Sequence, residues 1–377
     1  MNTDILKMIR KPTLLVDMQK VKSNIAAMSG KAEKNKVLLR PHFKTHQSAA
    51  IAEYYRKAGI SAITVSSVEM AQYFAAAGWQ DILIAFPLNW REMDAVNELA
   101  AQIKLAVLID NVESAVFLVK NVRHELGVWI KIDTGLHRAG VWWQHLWKIE
   151  ELINILKGSQ NLHLQGVLTH AGQTYFANSP AEAKEAAFAS KQAVVNVKEE
   201  LNRKGIHDIR VSIGDTPGCC LLDDFKGADE IRPGNFIFFD LEQWKLGACR
   251  ANQIAVAVAC PIVSKNESRS ELVIYGGAIH FSKEGLKFYG EAIYGFVGGE
   301  KDEFFGEIQT DCVLTKTTQE HGVLKMNPII FSQYHIGDVI QVFPVHSCLT
   351  VQALGVYLDI QTRDFLTTMV TKKNSFS

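Results

Sequence analysis

Between residues 37 and 239, short apolar runs alternate with longer helical stretches, and this alternation narrows the fold more than any other feature. Segments 37–40, 63–65, 81–86, 104–109, 128–132, 162–169, 209–213 and 235–239 read as strands. Helical patterns occupy 48–58, 68–77, 91–101, a stretch from near Asn111, 141–156 and 181–201, with Gly78 and Pro87 as stops. Strands that alternate with helices imply parallel pairing through crossovers. Eight such units predict a (β/α)8 TIM-like barrel. The seventh crossover, between Asp215 and Ile231, is short and irregular.

After about residue 250 the pattern changes. Segments 253–258, 271–276, 306–314, 339–345 and 351–357 read as strands with no long helices between them. The expected architecture is α/β, a barrel over 20–245 with a C-terminal all-β domain. That second domain is built from 1–19 plus 246–377. No Gly- or Pro-rich linker marks the join.

Composition excludes several classes. Of 377 residues, 47% are hydrophobic and 21% charged, and Lys+Arg and Asp+Glu balance at 40 each, which leaves no electrostatic footprint for nucleic acid. No apolar run reaches membrane-spanning length. The start, MNTDILKMIRKPT, lacks the apolar core and small-residue cleavage site of a signal peptide. Cys219, Cys220, Cys249, Cys260, Cys312 and Cys348 form no C-x-x-C pair, so they read as reduced thiols of a cytoplasmic protein.

In a barrel, chemistry sits at the C-terminal ends of the strands, and the polar clusters fall there. Arg40-Pro41-His42-Phe43-Lys44-Thr45-His46 follows the first expected strand. Lys131-Ile132-Asp133-Thr134-Gly135-Leu136-His137-Arg138-Ala139-Gly140 follows the fifth, His170-Ala171-Gly172-Gln173-Thr174-Tyr175 the sixth, and Ser212-Ile213-Gly214-Asp215-Thr216-Pro217 the seventh. Arg232-Pro233-Gly234-Asn235 lies beside the eighth. Cationic neighbours disfavour a lysine's charged form and expose the neutral amine that covalent cofactor attachment needs. Each cluster has a plainer reading too: Lys44 as a solvated loop residue, Arg138 as an ion-pair partner of Asp133, and Ser212, Gly214 and Thr216 as turn formers. The functional alternative for that turn is a phosphate cradle of backbone N–H groups and hydroxyls. In the β domain, His346 and Cys348 are two apart and can point the same way from extended chain. Imidazole plus thiolate is a zinc-type donor pair, and the plain alternative is a satisfied histidine beside a buried cysteine.

Together these residues resemble the D-threonine aldolase and D-serine dehydratase family, relatives of alanine racemase among the barrel-type (fold-type III) pyridoxal-phosphate enzymes. The resemblance runs from Lys11-Pro12-Thr13 to Leu354. It implies that Lys44 carries pyridoxal 5'-phosphate covalently, that Arg138 lies beside the cofactor ring, and that His170 and Tyr175 line the same pocket. It further implies that Ser212, Gly214, Asp215 and Thr216 form the phosphate turn. It makes Lys44 the base at the substrate Cα, places His42 or a metal-bound water at the hydroxyl, and gives a divalent metal, zinc or else manganese, to His346 and Cys348, with Glu320-His321-Gly322 preceding. A homodimer is implied, with active sites combining the barrel of one subunit and the β domain of the other. The chain departs from the family pattern at Gln173, where a histidine is expected, at Cys219 and Cys220, and across Tyr275-Gly276-Gly277-Ala278-Ile279-His280-Phe281-Ser282.

The implied activity is metal-assisted dehydration of D-serine or a related β-hydroxy D-amino acid to a 2-keto acid and ammonia. The alternatives are D-threonine aldolase cleavage to glycine and an aldehyde, and amino acid racemisation. The His-x-Cys pair resembles the dehydratase version of the metal site, since the aldolase version often has a carboxylate in second place. A cofactor-binding protein without turnover is a further reading, against which the second domain argues.

Overall fold

The computed structural model describes residues 2–374. Met1 and residues 375–377, which belong to the expected β-domain boundaries, lie outside the described residues. The chain divides into two compact units. One comprises Ala26–Lys44 and Ala52–Gly234; the other takes the chain up to Ile25, Thr45–Ile51 and the chain from Asn235 onward.

The first unit is the expected parallel barrel. Its strands are β1 (Leu38–Leu39), β2 (Ala62–Val65), β3 (Asp81–Pro87), β4 (Lys104–Ile109), β5 (Leu126–Asp133), β6 (Leu162–Leu168), β7 (Arg210–Ile213) and β8 (Glu230–Ile231). They pair in the order β1-β8-β7-β6-β5-β4-β3-β2. A parallel bridge from His42 to Thr64 closes the ring, supported by Phe43 N–H to Thr64 O (2.9 Å) and Thr64 N–H to Pro41 O (2.9 Å).

Side chains alternate faces along a strand, so every second residue points into the barrel. Leu83, Leu108, Trp129 and Leu168 form an apolar interior cluster. Elsewhere the interior is polar. Arg40 is buried and donates to Glu230 Oε2 (2.7 Å) and to Asp81 Oδ1 (2.6 Å). Trp129, Lys131 and Asp133 share one parity of β5, which carries Lys131 and Asp133 from the interior to the C-terminal mouth.

Three boundaries differ from the sequence expectation. The eighth strand is Glu230–Ile231, paired with β1 and β7, whereas Asn235–Ile237 is a 3-10 helix. Pro233 has no N–H to give a ladder, and the Asn235 carbonyl accepts from Phe238 N–H (3.0 Å) and Phe239 N–H (2.7 Å), curling the chain. The helix expected from 141 starts at Leu146, because Val141–Trp142 pairs with β5. The strand expected from 351 is preceded by a helix, Ser347–Leu354, and begins at Val356.

The second unit carries a nine-stranded sheet. Its order is Glu271–Tyr275, His321–Lys325, Ile308–Thr317, Gly295–Gly298, Val339–Pro344, Val256–Asn266, Thr13–Val16, Val356–Asp359 and Phe365–Thr367. Val256–Asn266 also pairs with Glu271–Tyr275, so the first six strands close into an antiparallel barrel. Among the described residues, no helix is long and apolar enough to cross a membrane.

Candidate active site

Lys44 is placed by its neighbours. Phe43 is fully buried, its ring 4.9 Å from those of Tyr55 and Phe74 and 5.0 Å from that of Trp79. With Phe43 plugged into this aromatic pocket directly after the closing bridge, the Lys44 side chain is exposed. His42 Nδ1 accepts the Lys44 backbone N–H (3.3 Å), so the imidazole braces the loop.

Positive charge concentrates at the barrel mouth. Burial first, then the charges of Arg232 and Arg138, bring the Lys131 ammonium down to about 7, with Asp133 and Asp110 opposing. Burial and the charges of Lys131, Lys44 and Arg138 hold His170 well below the ordinary imidazole range, hence neutral. Its Nδ1–H donates to the Gly214 carbonyl (2.8 Å), which fixes the tautomer and leaves Nε2 as an acceptor. Arg138 is exposed. The Asp133 carboxylate, which offsets part of this charge, accepts from the backbone N–H groups of Gly135 (3.0 Å) and His137 (3.1 Å).

The turn after β7 sits on a polar base. Ser212 is fully buried, its hydroxyl donating to Glu230 Oε1 (2.7 Å) and accepting from Arg232 Nε (2.6 Å). Thus Ser212 lies beneath the turn, while Gly214, Asp215 and Thr216 form it. Gly214 cannot carry a side chain: a Cβ there would stand 2.9 Å from the Arg232 Cβ and 3.1 Å from its carbonyl. Asp215 caps the short helix Thr216–Leu221 by accepting from Gly218 N–H, and also accepts from Thr174 Oγ (3.1 Å). Burial outweighs those bonds and raises its carboxyl to about 6. The Tyr175 hydroxyl lies 3.5 Å from Thr216 N and accepts from it. Gln173, standing where the family has a histidine, donates to Thr134 O (3.3 Å).

These residues fit an anionic, phosphate-bearing cofactor. Lys131 feels the charges of Arg232 and Arg138, and His170 those of Lys131, Lys44 and Arg138, so positive charge gathers beside a turn whose backbone approaches closely. A bound phosphate would add negative charge there. A cavity of about 620 Å3 opens at the opposite, N-terminal end of the strands, lined by Asp81, Lys104, His163 and Arg210, and none of the predicted site residues faces it.

In the second unit, His346 and Cys348 are adjacent, though not along extended chain. His346 is extended (φ −130°, ψ 102°) and caps the helix that starts at Ser347, so the chain turns between the two. His346 lies beside Cys348, and its Nδ1 meets Glu284 Oε2. Burial opposes protonation of His346, but Cys348, Asp240 and Glu284 outweigh it and raise the imidazole to about 11. The Cys348 thiol donates to Thr45 Oγ (3.4 Å), and its sulfur accepts from Asn235 Nδ2 (3.7 Å). Asp240 fixes the turn by accepting from Ser347 N–H (2.9 Å), Ser347 Oγ (3.1 Å) and Asn235 Nδ2 (2.6 Å). Among the described residues, no three His, Cys, Asp or Glu side chains form a metal-holding group. Imidazole and thiol are donor types that a divalent metal such as zinc takes, and the pair would supply two of its ligands. His321 is exposed, and Glu320 lies 3.9 Å from His280 Nε2.

Sequence reading gave Arg232 no role and missed Glu284. Arg232 was visible in its cluster, but its inward direction depends on the true position of β8. Glu284 lies far from His346 in the chain, and nothing in the local pattern links them.

A closed parallel barrel, with a lysine behind its closing bridge and a cation-rich mouth, defines a barrel-type cofactor enzyme. Residues 16–242 match the alanine racemase N-terminal domain, and residues 255–360 match a putative serine dehydratase domain. The D-threo-3-hydroxyaspartate dehydratase of Delftia sp. is 29% identical over 95% of this chain and 98% of its own. Its solved structure superposes with a TM-score of 0.88 over 97% of this chain and 98% of that one, at 27% identity. A cysteine-to-alanine variant of that enzyme is described as the metal-free form. The D-serine dehydratase of Dictyostelium discoideum is 30% identical over 94% of each chain. The fold alone is shared with D-threonine aldolase from Filomicrobium marinum, at 18% identity and a TM-score of 0.82 over 98% of this chain and 97% of that one. The chain belongs to the alanine racemase N-terminal domain family, in the fold-type III pyridoxal-phosphate branch whose barrel is followed by a serine dehydratase domain. It is an enzyme of the pyridoxal-phosphate-dependent lyase type.

Proposed function

We propose that this lyase dehydrates D-serine or a related β-hydroxy D-amino acid to a 2-keto acid and ammonia, with a divalent metal, zinc or else manganese, on His346 and Cys348. The observation that carries the dehydratase reading is His346 at the N-cap and Cys348 in the first turn of one helix, a donor pair resembling the dehydratase form of this site. Lys44 would hold the cofactor, with Arg138 beside it, and the turn of Gly214 and Thr216 with Tyr175 would take its phosphate. Bound pyridoxal phosphate supplies an electron-withdrawing ring that stabilises negative charge at the substrate Cα. Lys44, once its amine is free, takes the proton from Cα. His170, neutral and fixed by Gly214, offers Nε2 as an acceptor without adding charge. A bound metal supplies Lewis acidity at the β-hydroxyl oxygen. His42, whose Nδ1 accepts the Lys44 backbone N–H, would act at that hydroxyl. We further read the chain as a homodimer, from the family resemblance, and as cytoplasmic, from its six free thiols.

The test is product identification with cofactor-loaded protein, D-serine and D-threonine, with and without zinc or manganese. Pyruvate from D-serine, lost on chelation, is the expected result. Glycine and acetaldehyde from D-threonine would replace dehydration by aldol cleavage. A visible cofactor absorbance that survives Lys44→Ala would overturn the role of Lys44.

A further inference from the structure

We propose that Glu284 is a positioning residue for the metal site, holding His346 so that Nε2 and not Nδ1 faces the metal. This rests on the reading of His346 and Cys348 as metal-binding.

Three observations carry it. Glu284 Oε2 meets His346 Nδ1, and an imidazole engaged there has one ring nitrogen left for a ligand bond. A metal-binding histidine commonly gives its other N–H to a carboxylate, which fixes ring and tautomer and raises ligand basicity. The glutamate is itself held: its N–H donates to Ser282 Oγ (3.1 Å), and Thr350 Oγ, on the helix that follows His346, donates to Phe281 O (3.0 Å). The 281–284 segment is thus tied to the element that bears Cys348. Finally, Ser282 has φ 95° and ψ 170°, a conformation that side chains rarely adopt and that persists only where surrounding contacts enforce it. The strain falls in the loop that delivers Glu284 to His346.

The experiment measures metal affinity, not turnover. Cofactor-loaded wild type, Glu284→Ala, Glu284→Gln and His346→Ala would compete for zinc and manganese against a chromophoric chelator, and the cobalt(II) forms would be compared by visible spectroscopy. Glu284→Ala should bind about 10–100-fold more weakly than wild type, with shifted cobalt d–d bands. Glu284→Gln, whose amide oxygen still accepts from Nδ1–H, should recover most of that loss, and this recovery separates orientation from a general folding defect. His346→Ala should abolish binding. Wild-type affinity and an unchanged cobalt spectrum in Glu284→Ala would overturn the role of Glu284 alone. A wild-type protein that takes up neither zinc nor manganese would overturn the metal reading on which it rests.

Discussion

Arg232 Nε donates to the Ser212 hydroxyl across 2.6 Å, and that hydroxyl donates onward to Glu230. Glu230 also receives Arg40 directly, so one buried carboxylate holds Arg40 itself and Arg232 through a serine. The expected result of Ser212→Ala is therefore a loss of stability of about 1–3 kcal/mol from stranded buried partners. Pyridoxal phosphate affinity should change little, because the hydroxyl is committed below the turn. Urea unfolding together with cofactor titration separates the two effects.

Glu230→Gln cuts deeper. Arg40 keeps Asp81 but loses its buried counter-charge, and Arg232 loses one of the charges that offset its burial. Removing one partner of a buried ion pair costs about 3–5 kcal/mol. The urea midpoint should fall accordingly, and a midpoint within error of wild type would refute the view that this pair supports the barrel.

Phe43→Ala tests how Lys44 is placed. Emptying the pocket between Tyr55, Phe74 and Trp79 should cost about 3–5 kcal/mol. It also removes the plug that fixes the neighbouring backbone. Cofactor loading should weaken even in the fraction that remains folded, read as visible absorbance per folded molecule by circular dichroism. Full loading at reduced stability would show that the lysine is positioned from elsewhere.

Much of the barrel was legible because its strands are short, apolar and separated by helices, and because the Lys44 cluster is contiguous in the chain. The eighth strand was not legible. Glu230 and Arg232 look like surface residues until the interior network that buries them is known, and the apolar 235–239 run drew the assignment instead. Periodicity also could not place the helix at Ser347, because its start depends on Asp240, a residue distant in sequence that accepts from Ser347 N–H. The Glu284–His346 contact is invisible for the same reason: it is purely tertiary.

Lys131 should make the cofactor-free protein respond to pH. Its folded pKa, about 7, lies below the ordinary 10.5, so the unfolded chain binds more protons between those values. This group's contribution to stability therefore rises with pH across that window, and its full penalty is present below about pH 7. Lys131→Met should stabilise the cofactor-free protein near neutrality, with the advantage shrinking toward pH 10.5. Urea midpoints across this range check the slope. An anion that binds the folded state should reduce it, since nearby negative charge restores the ammonium form.

Asp215 runs against the usual behaviour of an acid. Its carboxyl is raised from 3.8 to about 6, so the folded state holds more protons than the unfolded chain between those values. Its contribution to stability thus falls as pH rises through that window and stays low above it. Asn in its place keeps an oxygen for Gly218 N–H and the Thr174 hydroxyl, and asparagine caps helices as well as aspartate. It also buries an amide N–H pair, which costs stability at every pH. The decisive readout is therefore the pH slope, not the absolute midpoint. Relative to Asp215→Asn, the wild type should lose stability progressively from about pH 4 to pH 6. A constant difference between the two across that range would show that Asp215 is ionised in the folded chain as readily as in the unfolded one.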